Sequence, residues 1–186
     1  MGWRRLSSSN RSIGSHHRLQ SRVMGFVRNK KMSVLKSKRH ESTAEFVNVA
    51  DQIFVETMGF LVRLSNRYQR LFAQDTIHAA SMVLDHTEAA QNIRVTDKTS
   101  FDLRRSHLLE ARSWVMALDV HMSHIFRLIM TNPQGCFTDT KGRMKPPAEA
   151  VNLLNNMADS LGEKIDKEKN LITALLQSDK EKFNRK

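Results

Sequence analysis

The sequence predicts an all-α fold, an antiparallel four-helix bundle, and three observations support that prediction. Apolar residues recur at steps of three and four in four long segments, which is the period of an amphipathic helix. Breaks rich in Pro, Gly, Asn and Ser separate these segments, and short connections favour antiparallel neighbours. A chain of 186 residues with 40% hydrophobic content suits one domain around a single core.

The first predicted helix begins at "STAE", where Ser42 and Glu45 have the spacing of a capping box. It extends to about residue 64. The following "RLSNRYQR" indicates a tight turn or a kink, and a second helix runs from about residue 68 to 90. The two apolar stripes consist of Phe46, Val49, Ile53, Phe60, Leu61 and Leu64, and of Leu71, Phe72, Ile77, Ala80, Val83 and Leu84.

The third predicted helix, from about 98 to 130, is the most regular of the four. The segment "NPQGCFTDTKGRMKPP" interrupts the pattern and predicts a small hairpin around "DTKG". Pro146 and Pro147 suit the first turn of a fourth helix, because proline lacks an amide hydrogen that would be unpaired there. The bundle is therefore expected over 41–177, with a charged tail at 178–186. The two stripes are Phe101, Leu108, Ala111, Val115, Leu118, Met122, Phe126 and Ile129, and Val151, Leu154, Met157, Leu161, Ile165, Ile172 and Leu175.

The net charge of +11 is concentrated at one end of the chain. Residues 1–40 contain eleven Lys or Arg and no acid, whereas the other 19 basic residues are balanced by 19 acidic ones. We expect residues 1–40 to be a basic, disordered arm of the kind that binds phosphate backbones. Three interpretations stay open: an organellar transit peptide, an over-extended start with the natural one at Met32, or an arm that binds nucleic acid.

Compartment follows from cysteine content and hydropathy. The single cysteine, Cys136, cannot form an intrachain disulfide, which favours a reducing compartment and a cytoplasmic protein. No apolar run approaches the roughly 20 residues that span a bilayer, so a membrane role is not expected.

The stretch "DVHMSH" places Asp119, His121 and His124 within six residues and raises the question of a metal or acid–base site. At about 100° per residue, His121 lies at the edge of the core stripe and His124 nearly opposite it, so the two do not converge. The chain contains no Glu-x-x-His motif and no phosphate-binding Gly-rich loop. We therefore expect no catalytic residue, no metal and no cofactor.

A second apolar stripe follows the far side of the third predicted helix. It consists of Leu109, Met116 and Val120, and His124 extends it by one turn. Because an exposed apolar stripe commonly marks a protein contact, we predict an oligomer interface at these four residues.

Basic residues form three groups that predict contacts with a nucleic-acid backbone. Guanidinium groups bind phosphates through paired donors, whereas the low aromatic content gives little basis for reading bases. The predicted nucleic-acid-binding residues are Lys36, Lys38 and Arg39 before the first helix, Arg63, Arg67 and Arg70 near its end, and Arg104, Arg105 and Arg112 on the third.

Four segments in combination resemble a known family: "FVETMGFLVRLSNRYQRLFAQ", "RRSHLLEARSWVMALDVHMSHIF", "NPQGCFTDTKGR" and "NNMADSLGEKIDKEKNLI". The chain resembles the four-helix-bundle proteins of ribosomal RNA intervening sequences, and most of all the accessory variability determinants of diversity-generating retroelements. The resemblance implies a non-catalytic homopentamer that associates with the element's reverse transcriptase and template-repeat RNA in mutagenic cDNA synthesis. It also makes "MSVLKSKRHES", at Met32, look like a family start, although the charge-neutral body departs from the strongly basic accessory proteins.

Two other interpretations stay open. One is a stand-alone structural bundle of the ribosomal intervening-sequence type. The other is an organellar helical-bundle protein with a cleaved transit peptide.

Overall fold

The computed structural model describes residues 44–185, and it contains four α-helices and no strand in that range. The all-α four-helix prediction is thereby confirmed. The helices are α1 (Glu45–Leu61), α2 (Asn66–Asn92), α3 (Lys98–Thr131) and α4 (Pro147–Asn184). The predictions for the basic arm, Lys36, Lys38, Arg39, a start at Met32 and the capping role of Ser42 lie outside the described residues.

A side-chain cap is present at one of the four helix starts, that of α3, and the start of α1 differs from the prediction. Ala44 is the N-cap of α1, so Glu45 contributes a negative charge to the first turn rather than the third position of a capping box. A complete capping box lies instead at α3, where Asp97 accepts from the Ser100 amide at 2.8 Å and Ser100 Oγ accepts from the Asp97 amide at 3.1 Å. The Ser100 amide lowers the pKa of Asp97.

Each helix packs against two neighbours, in the cyclic order α1, α2, α3, α4. The start of α3 lies beside the end of α4, where the Phe101 and Phe183 rings stack at 4.5 Å. The start of α1 pairs with the second half of α4 through Glu45 and Lys167, at 2.7 Å. None of the helices among the described residues is long and apolar enough to cross a membrane.

The C-terminal boundary of the bundle was predicted too early. Pro147 is the first residue of α4 as expected, but the helix continues to Asn184 rather than giving way to a tail at 178. Asp179 bonds to Arg104, and Phe183 stacks on α3. Residues 178–184 therefore extend the α3 contact, because these two positions face α3 although the segment as a whole is charged.

The predicted core stripes of the four helices are largely confirmed, and Leu71 of α2 is the exception. Leu71 is exposed, and the buried side of α2 is made mostly of small residues that let its neighbours approach closely. On α3, Ile125 is buried while the predicted Phe126 is only partly covered. The buried residues of α2 are Tyr68, Thr76, Ala79, Ala80, Val83, Thr87 and Ala90.

The loop between α3 and α4 closes one end of the bundle. Phe137 is fully buried and meets the Phe60 ring edge-on at 6.0 Å. The predicted hairpin is present as a bridge between Thr138 and Met144, and Gly142 at its tip adopts a φ of 75° that favours glycine. The loop also hydrogen-bonds to the connection between α1 and α2, since the Ser65 amide donates to the Cys136 carbonyl at 2.7 Å.

Glu168 is a buried acid on α4 that the sequence pattern did not reveal. Its side chain is fully buried, and neither carboxylate oxygen has a hydrogen-bond partner. Burial raises its pKa to about 8, because the charged form is poorly solvated in the core. Ile165 and Ile172 flank it on the same stripe, so its position within the core follows from helical spacing.

We expect Glu168→Gln to stabilise the protein at pH 8 while changing little near roughly pH 5. A carboxyl whose pKa is higher in the folded state contributes most below its unfolded value, and stability falls as the pH rises from there to about 8. Each unit of pKa difference corresponds to about 1.4 kcal/mol, so the gain at pH 8 should reach a few kcal/mol. Urea unfolding at several pH values measures it.

The matched control is Glu163→Gln, an exposed acid on the same helix that should show almost no pH-dependent difference. Equal behaviour of the two variants across this range would contradict the buried, unpaired state of Glu168.

Candidate functional site

One side of the bundle brings together five of the predicted functional residues, and we call it the α3–α4 face. Arg105, Leu109, Arg112, Met116 and Val120 follow one another along α3 within an arc of about 80° at 100° per residue. All five are exposed; Met116 and Val120 retain 55% and 54% of their accessible surface. The predicted oligomer stripe and part of the predicted RNA cluster are therefore the same surface, which the exposed His124 extends by one turn.

Two shallow grooves mark where this face meets α4. Leu109, Arg105 and Arg112 line the first groove together with Leu176 and Lys180 of α4. Met116 and Val120 line the second beside Asp119 and Lys169. A partner on this face would consequently contact α4 as well as the α3 stripe.

Asp119, the acid of the "DVHMSH" stretch, belongs to an ion pair between helices. It accepts from Lys169 Nζ at 3.0 Å, and Asp166 accepts from the same nitrogen at 3.1 Å. These carboxylates, Asp119 first, raise the pKa of Lys169. Asp119 thus contributes to the contact between α3 and α4.

Cations on the α3–α4 face differ in whether they are already paired. Within the described residues Arg105 and Arg112 form no ion pair, in contrast to Lys169. Their guanidinium groups therefore remain available to an anionic partner.

Arg104 was predicted to bind nucleic acid with Arg105, but in the structure its guanidinium is engaged in bonds within the bundle. Its side chain is only 13% exposed, and its Nε donates to Asp179 at 2.6 Å. Its Nη1 donates to the Ala90 carbonyl at 2.8 Å and to the Ile93 carbonyl at 3.3 Å. The guanidinium joins the end of α2 to the end of α4, so it cannot reach a phosphate without breaking these bonds.

The second basic group lies at the other end of the bundle, around the start of α2. Arg63, Arg67 and Arg70 are exposed, and the first turn of α2 contains no acid. The amides of Asn66 and Arg67 have no backbone acceptor among the described residues. A helix start has positive potential and unpaired N–H groups, and the three arginines add positive charge. This region therefore favours the binding of an anion.

Catalytic and metal sites usually need several converging His, Cys, Asp or Glu side chains or a reactive thiol. No set of three His, Cys, Asp or Glu side chains converges in the part of the chain that the structure describes. Cys136 is buried, and burial raises its pKa, which disfavours the reactive thiolate. The described surfaces comprise one mixed apolar and basic face and one basic end.

Comparison with protein-family models, with curated proteins and with solved structures found no match to this chain. The resemblance to the retroelement accessory family accordingly stays a prediction. The surfaces described above are what a proposal of function has to explain.

Arg104→Ala should destabilise the protein by about 2–4 kcal/mol, because it leaves a largely buried carboxylate and two carbonyls without their charged donor. Arg105→Ala removes the same side chain from an exposed position one residue away and should change stability by no more than about 0.5 kcal/mol. Urea unfolding of both variants measures the difference. Equal stabilities would show that the Arg104 bonds contribute nothing net.

Proposed function

We propose that the chain is a non-catalytic, oligomeric adaptor of a diversity-generating retroelement. In this proposal it holds the element's reverse transcriptase and its template-repeat RNA together in the cytoplasm during mutagenic cDNA synthesis. The resemblance of four sequence segments suggests this class of function, and two separate surfaces give it a physical basis.

The α3–α4 face is the single observation on which the adaptor role depends. Three large apolar side chains, Leu109, Met116 and Val120, are exposed in one row and interleaved with two unpaired arginines. Exposing such a row to water is unfavourable, and covering it with a second protein surface would remove that cost. Arg105 and Arg112 then suit carboxylates on the covering surface, because their paired donors match that geometry.

The basic start of α2 supports the RNA half of the proposal. Tyr68 Oη donates to the Asn132 carbonyl at 3.3 Å, so this region lies at the end of α3, whereas Arg105 lies near its beginning. Separate locations let one surface bind a protein while the other binds a phosphate backbone. We therefore propose that Arg63, Arg67 and Arg70 contact RNA and that the α3–α4 face joins copies of this chain in a ring, with five copies expected from the resemblance.

A stand-alone structural bundle is the second candidate, and the charge distribution favours it. Residues 41–186 carry equal numbers of basic and acidic side chains, and Arg104 is occupied by structural bonds. Such a protein would assemble through the same apolar row without binding RNA. A neighbouring reverse-transcriptase gene with template and variable repeats would favour the adaptor instead.

Met116→Glu combined with Val120→Glu should reduce the mass of the assembly measured by light scattering. Two carboxylates in the apolar row would have to be buried without partners if another copy covered it. Leu103→Glu is the control, since Leu103 is also 52% exposed on α3 but lies about 140° away from Met116 around the helix. Wild-type protein that is monomeric at micromolar concentration would contradict the proposal.

The affinity for structured RNA should depend less steeply on salt in the double variant Arg67→Gln with Arg70→Gln. The magnitude of the slope of log affinity against log salt should fall by about 1.8, because each lost phosphate contact reduces it by about 0.9. Arg105→Gln with Arg112→Gln is the matched double variant and should leave the slope unchanged. The reverse outcome would assign the RNA contact to the α3–α4 face. Absence of RNA binding by the wild type at low salt would leave the structural bundle as the function.

A further inference from the structure

Two histidines on neighbouring helices approach each other to within hydrogen-bond distance. His86 of α2 and His107 of α3 place their Nδ1 atoms 3.1 Å apart. The ring centroids are 5.3 Å apart, and the ring planes are inclined by 42°. Both side chains are half-buried, and neither belongs to the α3–α4 face or to the basic start of α2.

Two imidazole nitrogens 3.1 Å apart need a proton or a cation between them. A neutral imidazole carries one N–H and one lone pair, so two Nδ1 lone pairs facing each other would repel. The contact therefore requires either a proton on one of the two nitrogens or a cation that accepts both lone pairs. A hydrogen bond would require opposite tautomers in the two rings.

The separation also matches two ligands of one metal ion. Zinc binds histidine nitrogen at about 2.0–2.1 Å, so two nitrogens 3.1 Å apart subtend an angle of about 98° at the metal. That angle lies between the ligand–metal–ligand angle of square-planar or octahedral coordination and the angle of tetrahedral coordination. We propose that His86 and His107 form a site for one divalent transition-metal ion of the class that prefers imidazole, Zn²⁺, Ni²⁺ or Cu²⁺.

Charges around the pair do not oppose a cation. Arg104, one turn before His107, is neutralised by Asp179 at 2.6 Å. Asp85 precedes His86, and Glu110 follows His107 by three residues, so two acids are close in sequence. Because no third ligand of the described residues converges on the pair, water or an external ligand would fill the remaining positions.

Binding at this position would link α2 to α3. The ion would bind the folded chain, in which the two imidazoles meet, and not the unfolded chain, in which 20 residues separate them. Metal binding would consequently raise the melting temperature of the protein. This inference is independent of the proposed function, since it uses neither the apolar row nor the exposed arginines.

Calorimetric titration of the full chain with NiCl₂ and ZnCl₂ tests the site. The parent protein for this test carries His16→Ala and His17→Ala, and every variant is made in that parent. These two histidines, which are adjacent in sequence, then cannot contribute to metal binding. We expect one ion per chain, and His86→Ala or His107→Ala should weaken binding by at least about tenfold. His78→Ala, which removes an exposed histidine from the same helix as His86, should bind like the parent.

Two further measurements keep the test independent of folding defects. Circular dichroism without metal establishes that each variant is folded, and His107→Gln replaces His107→Ala if the latter is not. Metal should raise the melting temperature of the parent and of His78→Ala but not of the His86 and His107 variants, and a chelator should reverse the rise. Equal affinities for parent and pair variants, or no binding by the parent, would show that the two histidines share only a hydrogen bond.

Discussion

The rotation of α3 about its own axis determines which of its side chains enter the core, which meet a neighbouring helix and which are exposed. Leu108, Ala111, Val115 and Leu118 are completely buried, and their stripe faces the centre of the bundle. Once that stripe is fixed, every other side of the helix has a defined environment. His107 meets α2, Asp119 meets α4, and Met116 is exposed. A rotation of one residue would bury a charge and expose the core, which explains why one helix defines three surfaces.

Polar contacts between helices restrict how the helices can slide along one another within this apolar packing. Arg104 connects the ends of α2 and α4, and Lys169 joins α4 to Asp119 halfway along α3. Apolar stripes tolerate sliding better than charge-assisted hydrogen bonds do, because the latter depend on distance and angle. Glu168 has the opposite effect, since it occupies the core without a partner and lowers stability above its unfolded pKa.

The two ends of the bundle are built differently, and the candidate surfaces reflect this. At one end the loop carrying Phe137 closes the core and hydrogen-bonds to the short connection before α2. That arrangement fixes the start of α2, where the arginines gather. At the other end long α3 and α4 continue together to Phe101 and Phe183. The α3–α4 face begins near this end, so protein and RNA contacts are spatially separated in the proposal.

The helices, most of their core stripes, the hairpin and the exposure of Leu109, Met116 and Val120 could be predicted from the sequence alone. These features depend on turn chemistry and the 3.6-residue period, both of which are read within a single segment. The burial of Arg104 beside the exposed Arg105 and the contact of His86 with His107 become visible only in the folded structure. Each of these depends on which residue of another helix lies opposite, and helical periodicity within one segment contains no information about that neighbour.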